Sequence, residues 1–167
     1  MDVSALLVDG FGRIEESVER VLHRLPAEHL TARVDQEANT IAWLVWHLTR
    51  VQDDHVADAF GTEQVWLAGW VDRLALPFPV GATGYGHSAA DVGRVDVAAD
   101  LLLGYHRAVH ERTVELVSRV GSADLDRVVD IRWDPPVTLG VRLVSVLADD
   151  LEHVGQAAYV RGVLDRR

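Results

Sequence analysis

Apolar residues recur every three or four positions over four long stretches of the chain, and each stretch reads as one face of an α-helix. In the first, Val3, Leu6, Leu7, Phe11, Ile14, Val18, Val21, Leu22 and Leu25 keep the period until Pro26 stops it. The second opens at Asn39, a good N-cap residue, and runs through Ile41, Leu44, Leu48 and Val51 to about Gly61. The third follows Asp96, another cap residue, and carries Leu102, Tyr105, Val109, Leu116 and Val120 before Gly121. The fourth begins near Thr138 and continues through Leu143, Val144, Leu147, Leu151 and Val154 to about Leu164. This pattern predicts an all-α four-helix bundle, organised as a single domain over residues 1–167.

The second and third helices are separated by a crossover of roughly thirty-five residues, far longer than an ordinary helix-to-helix turn. It contains Trp66, Trp70, Pro77, Pro79 and the glycine-rich run GATGYGHSAADVG. A connection of this length is expected to be functional or packed over something. The link to the fourth helix, DIRWDPPVTLG, holds Pro135-Pro136, which predicts an extended approach to that helix.

Composition narrows the chemistry. With 49% apolar content, 167 residues suffice for one well-buried core. There is no cysteine, so disulfides, thiolate metal sites and cysteine nucleophiles are excluded. All 16 cations are arginine; without lysine, Schiff-base chemistry and the P-loop are excluded too. A net charge of −10 argues against a nucleic-acid partner. Arg13, Arg20, Arg24, Arg50, Arg107, Arg112 and Arg119 lie among acids at helical spacings, as on a solvated surface. No apolar run approaches the roughly 20 residues that span a bilayer. The start Met1-Asp2-Val3 lacks the basic region of a signal peptide. The expectation is a cytoplasmic protein with no membrane partner.

The remaining polar chemistry rests on histidines and carboxylates. On the second helix Leu44, His47, Val51 and Asp54 fall at steps of three and four, which puts His47 in an apolar seam. On the fourth, Val146, Asp149, His153, Gln156 and Val160 form a comparable line. Asp149 and His153 are one turn apart and converge on one point, the arrangement by which bundles supply metal ligands to their interior. A buried carboxylate is costly unless compensated, and a cation compensates it well. Two imidazoles and one carboxylate suit zinc, iron or nickel with open positions. The competing reading makes Asp149, His153 and His47 a hydrogen-bonded buried polar group. Asp150, three residues before His153, competes with Asp149, but it aligns with Leu143, Leu147 and Val154 instead.

Other polar groups read differently. Asp54 and His55 lie toward the open end of the bundle, as groups supporting the ligands, as an acid/base pair, or as solvated helix-end charges. His106 and His110 have the spacing of a metal motif but are placed toward the rim, and His23, His29 and His87 have no partner spacing. Trp43, Trp46, Arg50 and Asp53 lie off the ligand seam. Two tryptophans on an outer stripe suggest a homodimer contact, and the alternative is packing beneath the crossover.

The segments NTIAWLVWHLTRVQDDHV and LADDLEHVGQAAYVRG resemble the two signature segments of the DinB-like superfamily of four-helix metalloproteins, over nearly the whole chain. The resemblance implies that bundle with its long crossover, and a metal held by one histidine of the second helix and a histidine pair on the fourth. Carried over, the ligands are His47, Asp149 and His153, the last ahead of Gly155-Gln156. Asp149 departs from the family's histidine, which alters the site without abolishing it.

Better-understood members use low-molecular-weight thiols such as mycothiol or bacillithiol, in maleylpyruvate isomerases and thiol transferases. The resemblance therefore implies a metal-dependent thiol transferase or isomerase acting on a small-molecule substrate. The metal would lower the pKa of the thiol, which must come as a cosubstrate because the chain has no cysteine. Arg142 or Arg161 would bind its carboxylates. Two other readings stand beside this one. The first is metal-assisted hydrolysis with Asp54 or His55 as base; the second is a non-catalytic dimeric bundle that binds a small ligand.

Overall fold

The computed structural model describes residues 1–167 and is mostly helical. Four long helices form the bundle: α1 (Val3–Leu22), α3 (Ile41–Phe60), α6 (Ala99–Val117) and α7 (Leu139–Leu164). Short helices α2 (Ala27–Thr31), α4 (Trp70–Leu74) and α5 (Ala89–Val92) sit in the connections. Around the bundle each long helix packs on two others: α1 on α6 and α7, and α3 on α6 and α7. Helices α1 and α3, though consecutive in the sequence pattern, thus occupy opposite corners. No helix is long and apolar enough to cross a membrane.

The caps follow local chemistry. Asp2 and Thr138 each accept a backbone N–H of the first turn, from Ala5 and Val141. For α3 the cap is Thr40 rather than the expected Asn39: its Oγ1 accepts the N–H of Trp43, and Gly61, at φ 63°, closes the other end. Helix α6 starts at Ala99, after Ala98 and not at Asp96, because buried Val95 and Val97 hold the preceding chain extended against the core.

The core is continuous through all four corners, with Phe11, Ile14, Ile41, Leu44, Leu102, Tyr105, Leu139 and Leu143 fully buried. Each such side chain contributes about 1.5–3 kcal/mol relative to exposure. The crossover is part of this core. Trp66 and Trp70 pack on Tyr105, and Trp46 packs on Phe78 and His87.

That packing corrects the expected outer stripe. Trp43, Trp46, Arg50 and Asp53 are all buried, so a dimer contact through the two tryptophans has no surface to rest on, and Arg50 does not belong to the solvated charge pattern. His106, expected at the rim, is also fully buried. Its Nδ1 meets Thr49 Oγ1 at 3.1 Å, and burial lowers its pKa to about 3. His110 stays on the flank, 3.2 Å from Glu15.

The chain between α6 and α7 forms a small antiparallel hairpin that periodicity did not reveal. Strand β1 (Val128–Asp130) pairs with β2 (Val137–Thr138) in the register Val128↔Thr138 and Asp130↔Val137. It brings Asp130, Arg132 and Trp133 to the mouth of the cleft described next.

Candidate metal centre

His47 comes from the middle of α3, and Asp149 and His153 from one turn of α7. Each contributes one ligand-type atom, and these three atoms lie within 4.8 Å of one another. The rings of His47 and His153 meet edge to face with centroids 4.7 Å apart, and Trp43 stacks on His47 at 4.6 Å. Burial is the largest influence on His47 and lowers its pKa, so the ring is held neutral.

The hydrogen bonds set the orientation of both rings. His47 donates from Nδ1 to the carbonyl of Thr83 at 2.6 Å, and His153 donates from Nδ1 to the carbonyl of Asp149 at 2.8 Å. A neutral imidazole has one N–H, so each Nε2 is left with a lone pair. The Asp149 carboxylate finds no donor in this arrangement. Its Oδ2 is buried without a hydrogen-bond partner, and His153 Nδ1, at 3.5 Å, already gives its proton to the Asp149 carbonyl. The ring protons thus go to backbone carbonyls, and Asp54 receives neither.

Asp150 is fully buried and does not join the cluster. Burial, reinforced by the charge of Asp149, pushes its carboxyl well above the ordinary range. Gln156, in the same line as His153, is exposed.

The centre opens into a cleft of about 690 Å³, within the range of small-molecule sites. His47, Asp149, Asp54 and His55 are among its lining residues, so the two site groups expected from the end of α3 share the cleft with two members of the triad. Asp54 Oδ1 accepts from Gln64 Nε2 at 2.8 Å, and its Oδ2 lies 3.8 Å from His55 Nδ1. His55 Nδ1 also lies 3.1 Å from Arg142 Nη1, and burial first, then the Arg142 charge, lowers its pKa. Arg142 is anchored on Asp130 at 2.8 Å, and bonds from Arg132 hold the Asp130 carboxyl below the usual range. Arg161 is remote from the cleft, donating to the Arg20 and Val21 carbonyls at the end of α1.

Several wall residues escaped the sequence pattern. Thr83 and Tyr85 come from the glycine-rich crossover, whose length was the only signal, and Asp130, Arg132 and Trp133 come from the hairpin. His87, without any partner spacing, accepts the indole N–H of Trp43 at 3.2 Å.

The family model described as mycothiol-S-transferase matches residues 7–166. A conserved protein of Enterococcus faecalis, known from its crystal structure, is similar at 28% identity and a TM-score of 0.91. The alignment covers 100% of this chain and 99% of that one. No curated protein matches the chain.

Proposed function

Because the chain belongs to the mycothiol-S-transferase family, we propose that it joins the sulfur of mycothiol to a small electrophile in the cleft, with a divalent metal held by His47, Asp149 and His153. The observation that carries this reading is a surplus of acceptors. Both ring N–H groups are spent on backbone carbonyls, which leaves two Nε2 lone pairs and the unpartnered Asp149 Oδ2 on three residues whose ligand-type atoms lie within 4.8 Å of one another. A cation fits that set, because one ion satisfies all three acceptors at once. Zinc, nickel and iron all accept two imidazoles and one carboxylate, and a zinc-type site keeps a position open. When bound, the ion supplies positive charge that lowers the pKa of a nearby thiol.

The rest is the work of the chain. Asp54 Oδ2 takes the thiol proton, while Gln64 holds the other oxygen in place. His55 is kept neutral by burial and by Arg142, and with Nδ1 facing that guanidinium its proton sits on Nε2, where it donates to bound substrate. Tyr85, Trp133, Val137 and Val141 line the cleft and accommodate the carbon skeleton of the electrophile. The sulfur–carbon bond forms as the leaving group departs with its bonding pair, and the thiol proton passes by way of Asp54 to solvent.

A conjugation assay with mycothiol and a bromobimane probe, run beside elemental mass spectrometry, tests the reading. Metal-loaded protein is expected to consume thiol and probe together, and Asp149→Ala to lose both metal and more than about 100-fold of the rate. Metal-loaded protein that leaves mycothiol unconsumed would overturn the assignment.

A further inference from the structure

Crossover residues 80–84 run directly over His47, and buried side chains hold three of their carbonyls. Trp66 Nε1 donates to Val80 at 2.8 Å, Arg50 Nε to Ala82 at 3.2 Å and His47 Nδ1 to Thr83 at 2.6 Å. Trp66 and Arg50 are themselves fixed. Arg50, fully buried, donates to Gln64 Oε1 and Tyr105 Oη, and its guanidinium lies 5.0 Å from the Trp66 ring centroid. Asp53 accepts the backbone N–H of both Val65 and Trp66.

The next residue closes the fit. Gly84 has φ +100°, and a Cβ there would lie 2.7 Å from His47 Nδ1 and 3.1–3.2 Å from Trp46 and Trp43. Only a residue without a side chain lets the backbone come this near the ring.

We propose that residues 80–84 are a positioning device for His47 and that Arg50 is its anchor: a positioning residue outside the cleft, acting through Ala82 and Thr83. The Thr83 carbonyl decides which ring nitrogen of His47 carries the proton. The Arg50 bond to the adjoining carbonyl decides where Thr83 sits. Removing the anchor therefore releases the His47 tautomer while leaving α3 intact. The value of this device for metal binding rests on the function proposed above, but the device itself is read in metal-free protein, so the two fail separately.

The test is nitrogen-15 NMR of the histidine rings in metal-free full-length protein. In the parent, His47 is expected as a single tautomer with a slowly exchanging Nδ1–H and an unprotonated Nε2. The double variant Arg50→Met/Asp53→Asn leaves no buried charge unpaired and keeps an oxygen acceptor for one of the Val65 and Trp66 N–H groups. There the Nδ1–H is expected to exchange rapidly and the two nitrogens to average, while His106, bonded to Thr49 and not to the crossover, keeps its signals. Gly84→Ala, in a loop, is expected to produce the same change with the Arg50 network untouched. Zinc affinity should fall about 10–100-fold in both. An unchanged His47 tautomer in Gly84→Ala overturns the positioning device, and one in the double variant overturns the role of Arg50; if the double variant does not fold, Trp66→Phe decides on the anchored carbonyls, since it deletes the N–H that holds Val80 and keeps an aromatic, if smaller, ring.

Discussion

Helix α3 carries two polar clusters, and they are built on opposite principles. In the cluster of Arg50, Asp53 and Tyr105, donors and acceptors match. Asp53 receives Trp66 N, Val65 N and Tyr105 Oη at 2.7–2.8 Å, and the Arg50 guanidinium spreads over Gln64, Ala82 and Tyr105. Burial pushes the Asp53 carboxyl above its ordinary range, and these four neighbours, Arg50 included, offset only part of that rise. In the cluster of His47, Asp149 and His153 the ring donors have gone to the backbone carbonyls of Thr83 and Asp149, and the side-chain atoms left without a partner are acceptors. Burial of polar groups is common to both. What separates a structural network from a cation site is the unbalanced surplus of lone pairs in the second.

The largest expected effect comes from breaking the matched cluster. Arg50→Met alone strands the Asp53 charge, and the urea midpoint should fall by the equivalent of about 3–5 kcal/mol. Asp149→Ala should change metal-free stability by less than about 1 kcal/mol, because it removes a group that has no partner to lose. Equal losses in the two variants would erase the distinction.

Adding zinc sharpens the contrast from the other side. At a free concentration about 100 times Kd, the parent should gain about 2.7 kcal/mol in the same melt, and a chelator should reverse it. His47→Ala and Asp149→Ala should gain much less. No zinc-dependent gain in the parent would return the second cluster to a polar group held by hydrogen bonds.

Protonation probes the interior between α3 and α6. His106 has a folded pKa near 3, below its ordinary 6.5, so the unfolded chain binds its proton first as pH falls. Its contribution is complete above pH 6.5 and is lost progressively toward pH 3. Between pH 7 and pH 5 this single group should cost about 2 kcal/mol of stability. His106→Asn should flatten that part of the urea-midpoint profile, and an unchanged profile would mean that His106 is not buried neutral. The smallest effect belongs to the rim: Trp133→Ala should move stability by about 0.5 kcal/mol or less, while raising KM for the electrophile and not for mycothiol. An unchanged KM for the electrophile would remove Trp133 from its subsite.

The helices were legible because amphipathic periodicity and capping are local. Helix α7 begins beside Thr138, where the pattern put its start, and the cap of α3 shifted by a single residue, to Thr40. His47, Asp149 and His153 were legible as inward-facing polar residues for the same reason. Trp43, Trp46, Arg50 and His106 were misplaced. Their burial is set by chain far away: Trp46 by Phe78 and His87, Arg50 by Ala82 and Tyr105, and His106 by Thr49.

The sequence by itself determined the helical stripes, the long crossover, and a cysteine-free, arginine-only chemistry whose candidate ligands lie on two inner faces. Only the tertiary structure decided that α3 and α7 bring those faces together, that Thr83 and the Asp149 carbonyl consume the ring protons, and that a crossover with no period of its own covers two tryptophans and an arginine. The physical reason is that a side chain's periodicity depends on its own helix, whereas the partner that makes its burial affordable lies 32 residues away for Arg50 and Ala82, and 57 for Thr49 and His106.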